Sequence, residues 1–209
     1  WGLAEQGIAV LRYDKRTKVY GTAAYPQGVE ATFDNEVVDD VISAVRLVKS
    51  LPEIDSARVY VLGHSLGGML VPRIAQRAGE GCLGGIISLA GPVRKMEQLL
   101  TEQITYISSL SGTQPDVKAA VEQVMNSLPE SYRKMETEYQ PVEVARMLKL
   151  PFLVLQGERD YQVTMQDFGM WRFGLYRNPN VLFKSYPKLN HALQEGSGKS
   201  TPFEYTHLS

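Results

Sequence analysis

Ser65 lies in Gly63-His64-Ser65-Leu66-Gly67, a G-x-S-x-G pentapeptide. A serine hydroxyl is a poor nucleophile unless a base takes its proton. The base in turn needs a carboxylate to fix its tautomer and steady the imidazolium. The chain offers three histidines. His64 adjoins Ser65, and consecutive side chains diverge. His207 lies near the end of the sequence. His191, in Pro187-Lys-Leu-Asn-His191-Ala-Leu193, follows an apolar run and is the candidate base. Asp160, in Leu155-Gln-Gly-Glu-Arg-Asp160-Tyr-Gln-Val163, is the candidate carboxylate, with Glu158 as its rival. Asp167 reads as a helix residue, because Thr164-Met-Gln-Asp167 resembles a capping box. A plain alternative stands beside each: Ser65 as a helix N-cap, His191 as a surface loop residue, Asp160 as a loop acid paired with Arg159.

These residues need a scaffold that brings them to one edge. Short apolar runs at Ile8–Tyr13, Val59–Leu62, Gly85–Leu89, Phe152–Leu155 and Val181–Phe183 predict about five strands. None alternates with polar residues, so the expectation is a parallel sheet buried on both faces. Helical patterns fall between them. Val37, Val41, Val45 and Val48 recur near the helical period, after Thr32 or Asp34 as a cap and before Leu51-Pro52. Met69 to Ala78 continues as a helix directly after the pentapeptide. This alternation means an α/β fold with a mostly parallel sheet and flanking helices, in one domain over residues 1–209.

In that frame Ser65 occupies a strand-to-helix turn. The turn is expected to be too tight for large side chains at Gly63 and Gly67. The serine is then held strained, with its hydroxyl clear of the sheet and a helix N-terminus beneath it. His191 and Asp160 follow later strands, at the carboxyl edge where ligands gather in open α/β sheets. Between the third and fourth apolar runs lies a helical insertion at about 92–149. Met96, Leu99, Leu100, Ile104 and Ile107 form one stripe, and Val117, Val121, Val124 and Leu128 another. It is too amphipathic for a linker and reads as a cap.

The sequence resembles an α/β-hydrolase of the dienelactone-hydrolase and acyl-peptidase-like branch of bacterial serine esterases. The matching pieces are Leu11-Arg-Tyr-Asp14-Lys-Arg16, Gly63-His-Ser-Leu-Gly67, Gly157-Glu-Arg-Asp160-Tyr-Gln-Val163 and Asn190-His191, with Ser65, Asp160 and His191 in that chain order. The resemblance implies a carboxylesterase. It cleaves short-chain esters through an acyl-serine intermediate, with Ser65 as nucleophile, His191 as base, Asp160 as its orienter and the Leu66 N–H as oxyanion donor. Met96 and Leu100 are candidates for the wall of the acyl pocket, His64 for substrate contact. Met165 and Trp171 are further candidates, with core packing as their other reading.

Two family features are missing from this sequence. There is no His-Gly pair for the second oxyanion donor, and losing one such donor costs roughly 10²–10³ in turnover. The opening, Trp1-Gly-Leu-Ala-Glu-Gln-Gly7, has no initiator Met and reads as the end of a helix, so truncation at both ends is expected. An open first edge and uncovered apolar faces then predict a homo-oligomer, most simply a dimer. The rival to a weak or promiscuous esterase is an impaired hydrolase remnant that binds a small molecule or a partner.

A net charge of −1 gives no reason to expect a nucleic-acid or membrane partner. No cofactor or metal is implied, so the expected partner is a small ester substrate. With Cys82 as the one cysteine no intrachain disulfide forms, which fits a cytoplasmic protein. Gly79-Glu-Gly81-Cys-Leu-Gly84 matches a dinucleotide fingerprint but precedes a strand instead of following one, so it reads as a helix end. Glu195-Gly-Ser-Gly-Lys-Ser200 resembles a phosphate loop, yet Leu193 stands where that motif needs glycine.

Overall fold

The computed structural model describes residues 2–207. Trp1, Leu208, Ser209 and the side chains of Thr22 and His207 lie outside the described residues, so His207 as a candidate base falls there too. Four strands form one sheet: β1 Tyr60–His64, β2 Gly85–Leu89, β3 Phe152–Gly157 and β4 Val181–Tyr186. Their order is β1-β2-β3-β4, and all neighbours pair in parallel. The helices are α1 Gly2–Glu5, α2 Arg16–Tyr20, α3 Asp39–Lys49, α4 Leu66–Ala78, α5 Met96–Ser111, α6 Val117–Ser127, α7 Glu130–Glu138, α8 Pro141–Arg146 and α9 Met165–Leu175.

The α/β class with a parallel sheet is the one expected, but among the described residues the sheet has four strands where about five were expected. Ile8–Tyr13 carries no ladder hydrogen bonds and its side chains are exposed. An apolar run becomes a strand only where a neighbour offers a ladder, and this one does not pair with the β1 edge. The opening does end a helix as expected. Gly7 adopts φ 75°, and the amides of Gly7 and Ile8 close back onto the carbonyls of Ala4 and Leu3, a Schellman stop.

The sheet is covered on one face and open on the other, which corrects the expectation of burial on both. Val61, Ile86, Ser88, Phe152, Val154, Gln156 and Val181 point into the core. On the opposite face the register lines up Leu62, Ile87, Leu153 and Leu182, and Tyr60, Leu62 and Leu182 are more than half exposed. The physical reason is topological. Right-handed crossovers that step the same way each time lay every helix on the same face.

The core forms where α4, α8 and α9 pack on that face. Trp171 is fully buried there and its indole N–H donates to the Gly91 carbonyl at 2.8 Å. Of the helices between β2 and β3, α8 packs between α4 and α9, so the last part of the expected cap belongs to the layer over the sheet. Helix α7 reaches the start of the π-helical turn Asp34–Val38 that leads into α3, where Tyr132 meets Phe33 edge-on with ring centroids 4.5 Å apart. Thr32 is the cap there: its hydroxyl accepts from the Asn35 amide at 3.1 Å, and Asn35 returns the contact to the Thr32 amide at 2.7 Å. Among the described residues no helix is long and apolar enough to cross a membrane.

Candidate active site

Ser65 is the single residue between β1 and α4. It sits at φ 55°, ψ −119°, a left-handed conformation that costs a side-chain-bearing residue about 1–3 kcal/mol. Its backbone is fixed from both sides. Its amide donates to the Leu89 carbonyl at 2.9 Å, and its carbonyl accepts from the Met69 amide at 3.0 Å. The hydroxyl makes no cap hydrogen bond, so the strain does not serve N-capping.

The expected crowding around the turn is real but differently placed. A Cβ on Gly63 would lie 2.1 Å from the Gly67 carbonyl oxygen, and one on Gly68 would lie 2.8 Å from the Gly91 Cα. A Cβ on Gly67 would meet nothing within 4 Å. The expectation therefore holds at Gly63 and fails at Gly67. The second close approach falls one residue later, where α4 crosses the loop after β2.

Asp160 is buried in the turn that follows β3. Its Oδ1 accepts from the amides of Gln162 at 2.8 Å and Val163 at 2.9 Å. Its Oδ2 accepts from Gln156 Nε2 at 3.0 Å and from His191 Nδ1 at 2.7 Å. A carboxylate oxygen accepts here, so Nδ1 carries a proton and donates it, which turns Nε2 away from Asp160. Glu158, the rival, is exposed and bound to Ser185 Oγ at 2.7 Å. Nor does Arg159 pair with Asp160; it pairs with Glu204. His191 is buried in a turn that crosses the end of β3, where Gly157 leaves room: a Cβ there would lie 2.3 Å from the Leu189 carbonyl oxygen.

His64 joins the two parts. Its Nε2–H donates to the His191 carbonyl at 2.7 Å, and the two imidazoles lie 4.7 Å apart between centroids. Partial burial pushes the His64 imidazole below the ordinary histidine value, against the pull of that hydrogen bond. It thus contacts the His191 loop, a role the sequence reading did not give it. Among the described residues Ser65 Oγ and His191 Nε2 are not hydrogen-bonded to each other. Such contacts often close only around substrate.

Leu66 N–H is the first amide of α4, a position with no intrahelical acceptor. Met96 and Leu100 lie on the first turns of α5 and are half-buried. Trp171 belongs to the core, whereas Met165 is 37% exposed and lies outside it. Asp167 is on a helix as expected, but it is no capping residue. It is fully buried and accepts from the Val93 and Arg94 amides at 2.9 and 3.1 Å and from the Arg94 guanidinium at 2.8 Å. This buried pair pins the loop after β2 to the start of α9. Its signal in the sequence was one arginine at the mouth of an apolar insertion, which carries no spacing to read. Gln156 was also missed, though a lone polar residue ending the run Phe-Leu-Val-Leu was a usable sign. No group of three or more His, Cys, Asp or Glu among the described residues is placed to hold a metal ion.

The sequence profile of the prolyl oligopeptidase family matches residues 2–206. The chain belongs to the prolyl oligopeptidase family. Esterase EstD of Thermotoga maritima is 36% identical over 98% of this chain and 50% of its own length. The acylamino-acid-releasing enzyme of Sus scrofa is 26% identical over 96% of this chain and 27% of its own length. The chain thus spans half or less of these family members. Among solved structures, the puromycin-hydrolyzing peptidase of Mycobacterium tuberculosis is similar with a TM-score of 0.52 and 19% identity, over 75% of this chain and 22% of that one. An esterase of Pyrococcus furiosus matches with a TM-score of 0.50 and 16% identity, over 78% of this chain and 56% of that one. The family profile and the esterase relative bear out the resemblance to the acyl-peptidase-like branch, and the solved structures support the fold.

Proposed function

We propose that this prolyl oligopeptidase family chain carries a serine hydrolase site for carboxylic esters. The observation that carries the reading is the strained, uncapped Ser65 on a strand-to-helix turn, with a buried Asp160–His191 pair at the same sheet edge. Ser65 Oγ attacks the ester carbonyl and His191 Nε2 takes its proton. The Leu66 amide donates to the oxyanion. Collapse forms the acyl-serine and expels the alcohol, protonated by His191. Water then repeats the cycle, again through His191, and releases the acid. Asp160 orients and steadies the imidazolium throughout.

The ester assignment is supported by the 36% identity to a relative named an esterase; the relatives named acylamino-acid-releasing enzymes share 26%. Met96 and Leu100 are assigned to the acyl pocket, and short acyl chains are the expected substrates. With one oxyanion donor identified, turnover is expected to be weak. The bare sheet face with Tyr60, Leu62 and Leu182 supports a dimer, which light scattering at micromolar concentration tests; a monomer there removes it. A cytoplasmic setting suits Cys82 as a free thiol.

The deciding experiment is hydrolysis of p-nitrophenyl acetate and butyrate by the wild type beside Ser65→Ala. Turnover that drops to background in Ser65→Ala is the expected result. Equal rates in both leave the impaired remnant as the better reading.

A further inference from the structure

One carboxylate outside the triad touches both residues that precede its acid and its base. Glu204 lies in the 3-10 turn Pro202–His207. Its Oε2 accepts from Asn190 Nδ2 at 2.8 Å and from Ser200 Oγ at 2.8 Å, and its Oε1 accepts from Arg159 Nη2. Arg159 immediately precedes Asp160, and Asn190 immediately precedes His191.

Asn190 shapes the turn that follows it, and Arg159 ties its own loop to the chain around the base loop. Asn190 is wholly buried, and its Oδ1 accepts from the Ala192 and Gln194 amides at 3.1 and 3.0 Å, wrapping the backbone around His191. The Arg159 side chain is 7% exposed, and its remaining N–H groups go to the carbonyls of Gly198 at 2.9 Å, Ser197 at 3.2 Å and Lys188 at 3.4 Å. The Arg159 amide reaches the Leu189 carbonyl at 3.0 Å, tying the acid loop to the base loop directly. Ser200, buried as well, accepts at its carbonyl from Tyr106 Oη of α5 at 2.7 Å, so the insertion is drawn into the same knot.

We propose that Glu204 is a positioning residue for the Asp160–His191 pair, clamping the two loops through Arg159 and Asn190; this rests on the hydrolase reading of the triad. The chemistry asks for such a clamp. The acid and the base come from different loops, and a misplacement of about 1 Å in a reacting group costs roughly 10²-fold in rate. The carboxylate is only partly buried, and three side-chain donors orient it at this junction. Burial pushes the Glu204 carboxyl up, but the hydrogen bonds from Asn190, Ser200 and Arg159 outweigh it and hold the group below the ordinary value, ionised at neutral pH.

The test uses the full chain as Glu204→Ala and Glu204→Gln, with two readouts. In ester hydrolysis, Glu204→Ala lowers kcat by about tenfold or more while KM stays within about twofold, and Glu204→Gln, which keeps an acceptor oxygen, falls between it and wild type. In amide exchange, peptides covering 157–163 and 187–194 exchange faster in Glu204→Ala, while the β1 peptide does not. Loops as protected as in wild type overturn the proposal. So does loosening of the loops with an unchanged kcat. Should Glu204→Ala fail to fold, the same two readouts on Glu204→Gln decide. If the wild type shows no Ser65-dependent turnover, the hydrolase reading falls by itself, and exchange alone decides whether Glu204 holds the loops.

Discussion

Ser65 is held by backbone alone, its own strand and helix together with the Leu89 carbonyl of β2, whereas Asp160 and His191 are held by side chains and amides from separate stretches of chain. The elbow needs β1, α4 and two glycines to set φ 55° at a serine. The acid–base half needs Gln156 from β3, the amides of Gln162 and Val163, and a loop that crosses Gly157. The difference shows two ways of fixing a reactive group. One stores strain locally. The other satisfies every lone pair of a buried carboxylate until a single arrangement remains.

Each half breaks differently, and the largest expected effect falls on the side-chain half. Asp160→Asn leaves the fold intact but offers His191 the wrong hydrogen-bonding partner. Its kcat falls by about 10⁴ in steady-state ester hydrolysis. A loss of less than about tenfold would mean that the pair does not serve the chemistry. Next comes Arg94→Leu, which strands the fully buried Asp167 without its cation. Urea unfolding should then show a loss of about 3–5 kcal/mol, the usual result of breaking a buried pair.

The elbow responds to single methyl groups. Gly63→Ala forces a carbon against the Gly67 carbonyl and is expected to cost about 1–3 kcal/mol, with a fall in activity. Gly67→Ala meets open space inside a helix and is expected to gain up to about 0.5–1 kcal/mol. Equal penalties at the two positions would contradict the local account of the strain.

The smallest effect is an acid dependence on the elbow side. Arg73 of α4 grips Asp34 with hydrogen bonds of 2.5 Å and holds its carboxyl below the ordinary value of 3.8 against the opposing effect of burial. A depressed carboxyl adds stability that is complete above its unfolded value and lost as pH falls through the lower folded one. Asp34→Asn should therefore flatten the fall in urea midpoint between about pH 5 and about pH 3. An unchanged slope would remove the pair from the account.

How much of this was legible follows the same division. The pentapeptide, its strand and its helix are contiguous, so residue type and period located Ser65. His191 and Asp160 were readable because each follows an apolar run that becomes a strand. Most of their support was not: Gln156, the polar residue ending an apolar run, left a sign, but Asn190 and Glu204 act through contacts that no local pattern records. Ile8–Tyr13 misled for a related reason. Its composition suits a strand, but pairing is a property of the neighbour, and β1 does not pair with it. The bare face of the sheet was hidden too, since apolar strands read alike whether one face or both are covered. Strand order decides that, and it is a long-range fact.

The most direct test of the central claim, a serine activated by His191 and Asp160, is labelling with a fluorophosphonate followed by intact mass and peptide mapping. The account predicts one adduct per chain, on Ser65, formed by the wild type and absent in both Ser65→Ala and His191→Ala. An adduct on another residue, or labelling of His191→Ala at the wild-type rate, would contradict it.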